Sequence, residues 1–316
     1  MVAKKSAVKD VKVEEAVATV APMMELPNLH KHCPIVQDGL NIIQIGVGGT
    51  GGTVAMNILK MMGGLAKDIA ERVNFVAIDG DEFEEKNLGR QLCITPDLGK
   101  NKAEVIVGRY ANAFGITNDK ASFIDEYIKG PDEVFELMNP GYTNIIIDNL
   151  DKNRPRNWLH DAVKKFVATY RIAYVYEIST GNGEWGGQVS MGCVHKVDNK
   201  IIRHEPGRTA LGEPYYFSIP SPYVVHPELL DTTVDDREEA MSCADRAAAN
   251  VQSLVANNTA ATLCFNYVNA IVHQFVSQIE GYPDVEQLYG SVSFNSKNNG
   301  FTGAKFTDAY LGRDLL

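Results

Sequence analysis

Cysteine is scarce and badly placed for cross-linking: Cys33, Cys93, Cys193, Cys243 and Cys264 are the five in 316 residues, an odd number with no C-x-x-C pair. That excludes a disulfide framework and a four-cysteine zinc knuckle. Uninterrupted apolar runs are short, none reaching the roughly 18 residues of a membrane span, so no membrane partner is expected. Positive charge is in deficit, with 30 Lys and Arg against 40 Asp and Glu and a formal charge of −10. A broad nucleic-acid face is thereby excluded, whereas a small cationic pocket for a phosphate is not. The first residues carry Lys4, Lys5 and Lys9 but then turn acidic without an apolar stretch, unlike a signal peptide. The expectation is a cytoplasmic protein. Internal repeats and low-complexity segments are also missing.

What is present is an alternation of strand and helix. Residues 1–33 have no periodicity and read as a flexible extension, and 34–316 read as one elaborated domain. The run from Leu40 to Ile45 reads as a strand, followed at once by Gly46-Val47-Gly48-Gly49-Thr50-Gly51. Val54, Ile58 and Met62 then recur at four-residue spacing, predicting a helix that Gly63-Gly64 ends. A second strand from Val73 to Ile78 closes at Asp79. Helices follow over Asn101 to Phe114, near Glu133 to Met138 and over Arg154 to Thr169, with strands at Asn144 to Ile147 and Ala173 to Ile178. The fold class is therefore α/β: a doubly wound, Rossmann-like mixed sheet with helices on both faces. Glycine-rich alternation from Gly181 to Gly192 predicts an antiparallel extension of that sheet. Residues 203–242, with five prolines between His204 and Pro227, read as an irregular loop, and Cys243 to Ile279 as one or two buried helices.

A glycine turn between strand and helix lets backbone N–H groups approach a phosphate at the positive end of the helix dipole. Gly46, Gly48 and Gly51 hold the G-x-G-x-x-G positions, and Gly49 and Gly52 add clearance. Asp79 stands where a ribose hydroxyl is usually held. This much leaves a dinucleotide and ATP equally open.

Further motifs narrow the choice. Asp79-Gly80-Asp81 leads to Asn87-Leu88-Gly89-Arg90-Gln91, then to Gly99-Lys100-Asn101-Lys102, and past another strand to Asp148-Asn149-Leu150-Asp151. In this order they resemble the ThiF/MoeB family, related to ubiquitin-activating enzymes, over roughly Leu40 to Gln188 with a weaker trace to Ile279. The resemblance implies ATP-dependent adenylation of the C-terminal glycine carboxylate of a small ubiquitin-like protein, with Mg²⁺ as cofactor. By the same resemblance Arg90 and Lys102 contact the phosphates, Asn87 and Gln91 help place ATP, and Asp79 holds the ribose. Asp151 holds Mg²⁺, a hard cation suited to carboxylate oxygen, with Asp148 behind it. Lys100 does not match the motif's offset, and Asp81 reads as a strand-end cap.

The chain also departs from the family pattern. Most members carry two C-x-x-C pairs for structural zinc, but here only Cys193 and His195 stand in that region, so no zinc is expected. Cys243 has the place of the cysteine that accepts the activated carrier, yet Arg246-Ala247-Ala248-Ala249 replaces the usual glycine-rich continuation. A thioester role and an inert cysteine at a helix start both stay open. Members that dimerise often lend an N-terminal arginine to the partner's ATP. The segment Leu29-His30-Lys31-His32-Cys33 has none, so Lys31 or another source must supply that charge. A homodimer is expected, because the Ala- and Asn-rich C-terminal helices look made for burial. The loop over His204 to Pro227 corresponds to one that crosses the carrier's tail, which makes it a gate for the carboxylate. These departures point toward the compact ThiF-like proteins of bacterial PRTRC systems. Two alternatives are a non-catalytic nucleotide- and carrier-binding module, and a nicotinamide-dependent oxidoreductase, which gives no account of the Arg90 and Asp151 motifs.

Overall fold

The computed structural model describes residues 38–202, 218–240, 253–280, 290–304 and 313–316. The leading strand β1 (Leu40–Ile45) is buried along its whole length. It is flanked by β2 (Val73–Ile78) and β4 (Thr143–Asp148), both parallel to it. Beyond them lie β3 (Ala121–Ile124), parallel to β2, and β5 (Ala173–Asn182), parallel to β4. From β5 the sheet turns antiparallel through β6 (Gly186–Val197), β8 (Ser291–Asn295) and β9 (Gly300–Ala304). Among the described residues the short β7 (Lys200–Ile201) pairs with β6 alone. The order is thus β3-β2-β1-β4-β5-β6-β8-β9, the doubly wound mixed sheet with the antiparallel extension that the sequence predicts.

Helices cover both faces, which is why the central strands β1 and β4 are buried along their whole length. On one face lie α1 (Gly49–Gly63), the single turn α2 (Lys67–Ala70) and α3 (Lys102–Phe114). Val54, Ile58, Leu59 and Met62 of α1 are buried against Ile42, Phe75 and Ile145 of the sheet. The other face carries α4 (Pro131–Leu137) and α5 (Asn153–Thr169), whose Leu159, Val163 and Phe166 pack on Ile43, Ile146 and Val175. Downstream come the turn α6 (Pro222–Val225), the charged α7 (Thr233–Ala240) and the long α8 (Leu254–Glu280), which joins α1 on the first face. Among the described residues no helix is long and apolar enough to cross a membrane.

Three parts of the fold depart from the sequence reading. Within 203–242, read as an irregular loop, the described residues form α6, a 3-10 turn at Pro227–Leu230 and α7, because Pro222 and Pro227 open helical turns rather than break them and Asp235 anchors α7 on α5. The edge strand β3 has a single buried residue, Ala121, and gave no alternating signal. The β8–β9 hairpin is rich in Ser, Asn and Gly, and its pairing with β6 supplies the order that its composition does not. Chain crossings run from β1 outward to β3 and then back to β4. The crevice at the carboxyl ends of β1 and β4 is therefore a topological switch point, where open α/β sheets bind ligands.

Candidate functional site: a glycine turn with Asp79, Lys102 and Asp151

The glycine turn leaves β1 at Gly46, whose φ of +92° is costly for any residue with a Cβ. Its N–H donates to the Ile78 carbonyl, and the next N–H, of Val47, donates to Asp79 Oδ2 at 2.6 Å. Asp79 Oδ1 accepts the Asp81 N–H at 2.8 Å, so this carboxylate ties the turn to the end of β2. Burial raises the Asp79 carboxyl above its ordinary value, against the opposing pull of those two N–H groups. At the start of α1, Gly48 occupies the cap position. No side chain caps the helix, and no acidic residue stands in its first turn. A Cβ placed on Gly48 would meet no described atom within 4 Å. Among the described residues the positive end of the dipole is thus open at Gly48, as an anion site requires.

Beside it, Lys102 is buried at the first position of α3, and its Nζ lies 2.7 Å from Asp81 Oδ2. The Tyr127 hydroxyl donates to the other oxygen of Asp81. Burial works to raise the Asp81 carboxyl, but the hydrogen bonds from Lys102 and Tyr127 outweigh it and hold the group below its ordinary value. The Tyr127 hydroxyl is raised in turn, first by its bond to Asp81, then by burial and by the charges of Asp81, Asp79 and Asp151. Asp151 is exposed on the turn after β4. The structure therefore gathers the glycine turn, Asp79, Lys102 and Asp151 at the carboxyl ends of β1, β2 and β4. It adds Asp81, read from the sequence as a cap, and Tyr127. No sequence signal marked Tyr127 once β3, the strand ahead of it, was missed.

Arg90, Asn87 and Gln91 share a separate turn. Asn87 is buried; its Oδ1 accepts the Glu84 N–H at 2.9 Å, and its carbonyl accepts the N–H groups of Arg90 and Gln91. Arg90 Nε donates to the Lys86 carbonyl at 3.0 Å, while its Nη groups have no partner among the described residues. Gln91 Oε1 is buried without a hydrogen bond. The turn is moored by Arg109, which holds Asp97 through both carboxylate oxygens at 2.6 Å and donates to the Leu92 carbonyl. No described hydrogen bond or ion pair joins Arg90 to the Asp79–Lys102 group.

Asp148 and Asp151, three residues apart, differ completely in setting. Asp148 is buried; Arg156 Nε lies 3.0 Å from Oδ2, which also accepts from the Ser179 hydroxyl at 2.7 Å and the Tyr223 hydroxyl at 3.3 Å. Arg156 further donates to the carbonyls of Leu150 and Thr180. Asp148 is thus a strut beneath the turn that presents Asp151.

The far wall comes from α8 and from the β5–β6 hairpin. Asn257 of α8 is buried; its Oδ1 accepts from Asn182 Nδ2 at 2.7 Å and from the Thr50 hydroxyl at 3.5 Å, at the first turn of α1. Cys264, on the same helix, has its thiol pushed up to about 12 by burial, and so is no nucleophile at neutral pH. A shallow pocket of about 290 Å³ is lined by Gly181, Asn182, Gly183, Gly186, Gly187 and Gln188. His195 is fully buried between the rings of Tyr174 and Tyr176. Lys31, Cys243 and most of the loop from His204 to Pro227 lie outside the described residues.

Residues 39–306 match the model of the ThiF family. Among solved structures, Escherichia coli MccB with ATP aligns over 85% of this chain and 64% of its own, at 17% identity and a TM-score of 0.51. MccB with AMPCPP and MccA aligns over 88% and 66%, at 17% identity and a TM-score of 0.52. PaaA aligns over 84% and 73%, at 16% identity and a TM-score of 0.51. The chain spans about two thirds of the length of MccB. At this identity the likeness is one of fold. No curated protein sequence matches the chain.

Proposed function

Since the chain belongs to the ThiF family, we propose that it transfers AMP from ATP to a C-terminal carboxylate, that of a glycine ending a small ubiquitin-like protein. The observation that carries the reading is the uncapped N-terminus of α1 facing the same crevice as Asp79, Lys102 and Asp151. In this reading the N–H groups after Gly48 cradle phosphate, and Asp79 holds the ribose with the lone pairs left over from its two backbone bonds. Arg90 brings its unpartnered Nη groups to the triphosphate, and Asn87 and Gln91 fix the turn beneath it. Lys102 acts as a pair with Asp81, which keeps its ammonium pointed at the crevice.

A bound Mg²⁺ would neutralise phosphate charge. It keeps several waters and takes only one or two carboxylates when phosphates complete its shell, so Asp151, exposed and alone, fits it. The acceptor carboxylate attacks the α-phosphorus, the new P–O bond forms, and the bond to the β-phosphate breaks to release pyrophosphate. The chain's part is alignment and charge stabilisation. Four glycines border the pocket beside Asn182, which suits a tail without bulky side chains. A homodimer and the gating of the carboxylate by the loop over His204 to Pro227 belong to the same proposal. So does a following thioester, formed when the Cys243 thiolate attacks the acyl carbon of the adenylate and AMP leaves, which Cys243→Ala would abolish while sparing pyrophosphate exchange.

The deciding assay is ATP–pyrophosphate exchange dependent on a Gly-terminated ubiquitin-like protein. Arg90→Ala and Asp151→Ala are each expected to lower it about 100-fold, the scale of losing one preorganised charge contact. Exchange in both variants at the wild-type rate would sink the assignment.

A further inference from the structure

The helix that follows Asp151 is capped by a distant part of the chain. The cap position of α5 is Lys152, whose side chain makes no cap hydrogen bond and has no acceptor to offer. Asp235 of α7 replaces it. Its Oδ1 accepts the Asn153 N–H at 2.9 Å, and its Oδ2 accepts the Arg154 N–H at 2.6 Å. The third helical position is Pro155, which has no N–H to satisfy. Asp235 is 2% exposed, so a carboxylate has been taken out of water to sit on these donors. The contact is reinforced around its rim. Asn153 Nδ2 donates to the carbonyls of Glu228 and Asp231, Asn157 Nδ2 to that of Leu230, and Arg154 pairs with Asp236 at 2.8 Å.

We infer that Asp235 is a positioning residue for Asp151: it fixes the first turn of α5 from outside, and so sets where the Asp151 carboxylate stands. Two supports hold the short turn from Asn149 to Lys152. From below, Arg156, paired with Asp148, donates to the Leu150 carbonyl, and Asp148 Oδ1 accepts the Leu150 N–H at 2.9 Å. From the front, Asp235 grips the backbone two and three residues after Asp151. The electrostatics agree, since an acidic group at a helix N-terminus is favourable where the same group at the other end is not. The inference rests on the adenylation reading for the use of Asp151, but the grip of Asp235 on α5 can be measured without it.

The test uses the full chain in three forms. Asp235→Ala is expected to speed amide hydrogen exchange in the first turn of α5 about tenfold, the loss of a helix cap. It is also expected to raise the Mg²⁺ concentration for half-maximal pyrophosphate exchange severalfold, more than it changes the KM for ATP. Asp235→Asn keeps one acceptor for two donors and should fall between. Lys152 already has φ −116° and ψ 147°, the extended geometry of a cap residue. Adding Lys152→Ser to Asp235→Ala therefore supplies a local cap, and should restore both the slow exchange and the Mg²⁺ dependence. Unchanged amide exchange in Asp235→Ala would overturn the inference. So would normal melting of the double variant without recovery of the Mg²⁺ dependence. If Asp235→Ala does not fold, Asp235→Asn and the double variant decide by the same readouts. A wild-type protein inert in pyrophosphate exchange defeats the adenylation reading alone, and the amide-exchange comparison still judges Asp235.

Discussion

The two glycine-rich segments, Gly46–Gly52 and Gly181–Gly187, look alike in sequence and answer to different demands in space. In the first, a Cβ on Gly51 would stand 2.0 Å from the Gly46 carbonyl oxygen, and one on Gly49 would stand 2.2 Å from Asn257 Nδ2. Those glycines let the turn close on itself and let α8 approach. Gly48, just before them, has no described atom within 4 Å of where its Cβ would be. In the second segment, Gly187 is pressed against the Gly181 carbonyl, whereas Gly181 and Gly183 have open space where a side chain would go. Neither adopts a positive φ. Within each segment some glycines serve the fold, and others leave room that the described fold does not use.

Alanine substitutions separate the two kinds. The largest effect belongs to Gly51→Ala: its obstacle is the backbone carbonyl of Gly46, and a loss of about 3 kcal/mol in denaturant unfolding is expected. Stability equal to wild type would mean that the loop is far looser than its geometry implies. Gly49→Ala comes next, at about 1 kcal/mol, since the Asn257 amide can turn aside. Pairing it with Asn257→Ala should recover part of the loss, and strict additivity of the two changes would break the proposed contact. Gly48→Ala should leave the melting temperature in place and weaken ATP binding about tenfold, because a methyl would enter the space before the helix N–H groups. Calorimetry reads this directly, and full-strength binding would move the phosphate away from Gly48. The smallest effect is that of Gly181→Ala, neutral in stability and raising the KM for the carboxylate partner severalfold without changing that for ATP. A change in the KM for ATP instead would place the pocket on the nucleotide side.

The comparison also explains what could be read from sequence. The strand–glycine–helix opening was legible because periodicity and turn chemistry agree there: Val54, Ile58 and Met62 mark one helix face, and Gly46 and Gly51 mark the turn. Asp79 and Lys102 were legible as motif positions, but their engagements were not. Asp79 spends its first lone pairs on the N–H groups of Val47 and Asp81, and Lys102 is paired with Asp81. Tyr127 was hidden behind a strand of four residues whose pattern carries no alternation. The prolongation of β5 from Ile178 to Asn182 was hidden too, because Gly181 reads as a break while pairing with Gln188 continues the ladder. Asn257 and Asp235 were invisible for a common reason. Each acts on backbone or side chains more than 80 residues away, and nothing in a local window distinguishes a buried polar side chain with a distant partner from one facing water.

The reach of Asn257 has a consequence for synthesis of the chain. Thr50 and Asn257 are 207 residues apart, and contacts of such separation carry a loop-closure cost that must be met late in folding. A nascent chain that has made β1, α1 and β2 has its glycine turn but lacks the helix that walls it. Domains emerge from the ribosome N-terminus first, so the crevice stays open along one side until α8 has been translated and docked on α1. Closure of the crevice therefore waits for most of the chain, and only the β8–β9 hairpin and the C-terminal residues are added after it.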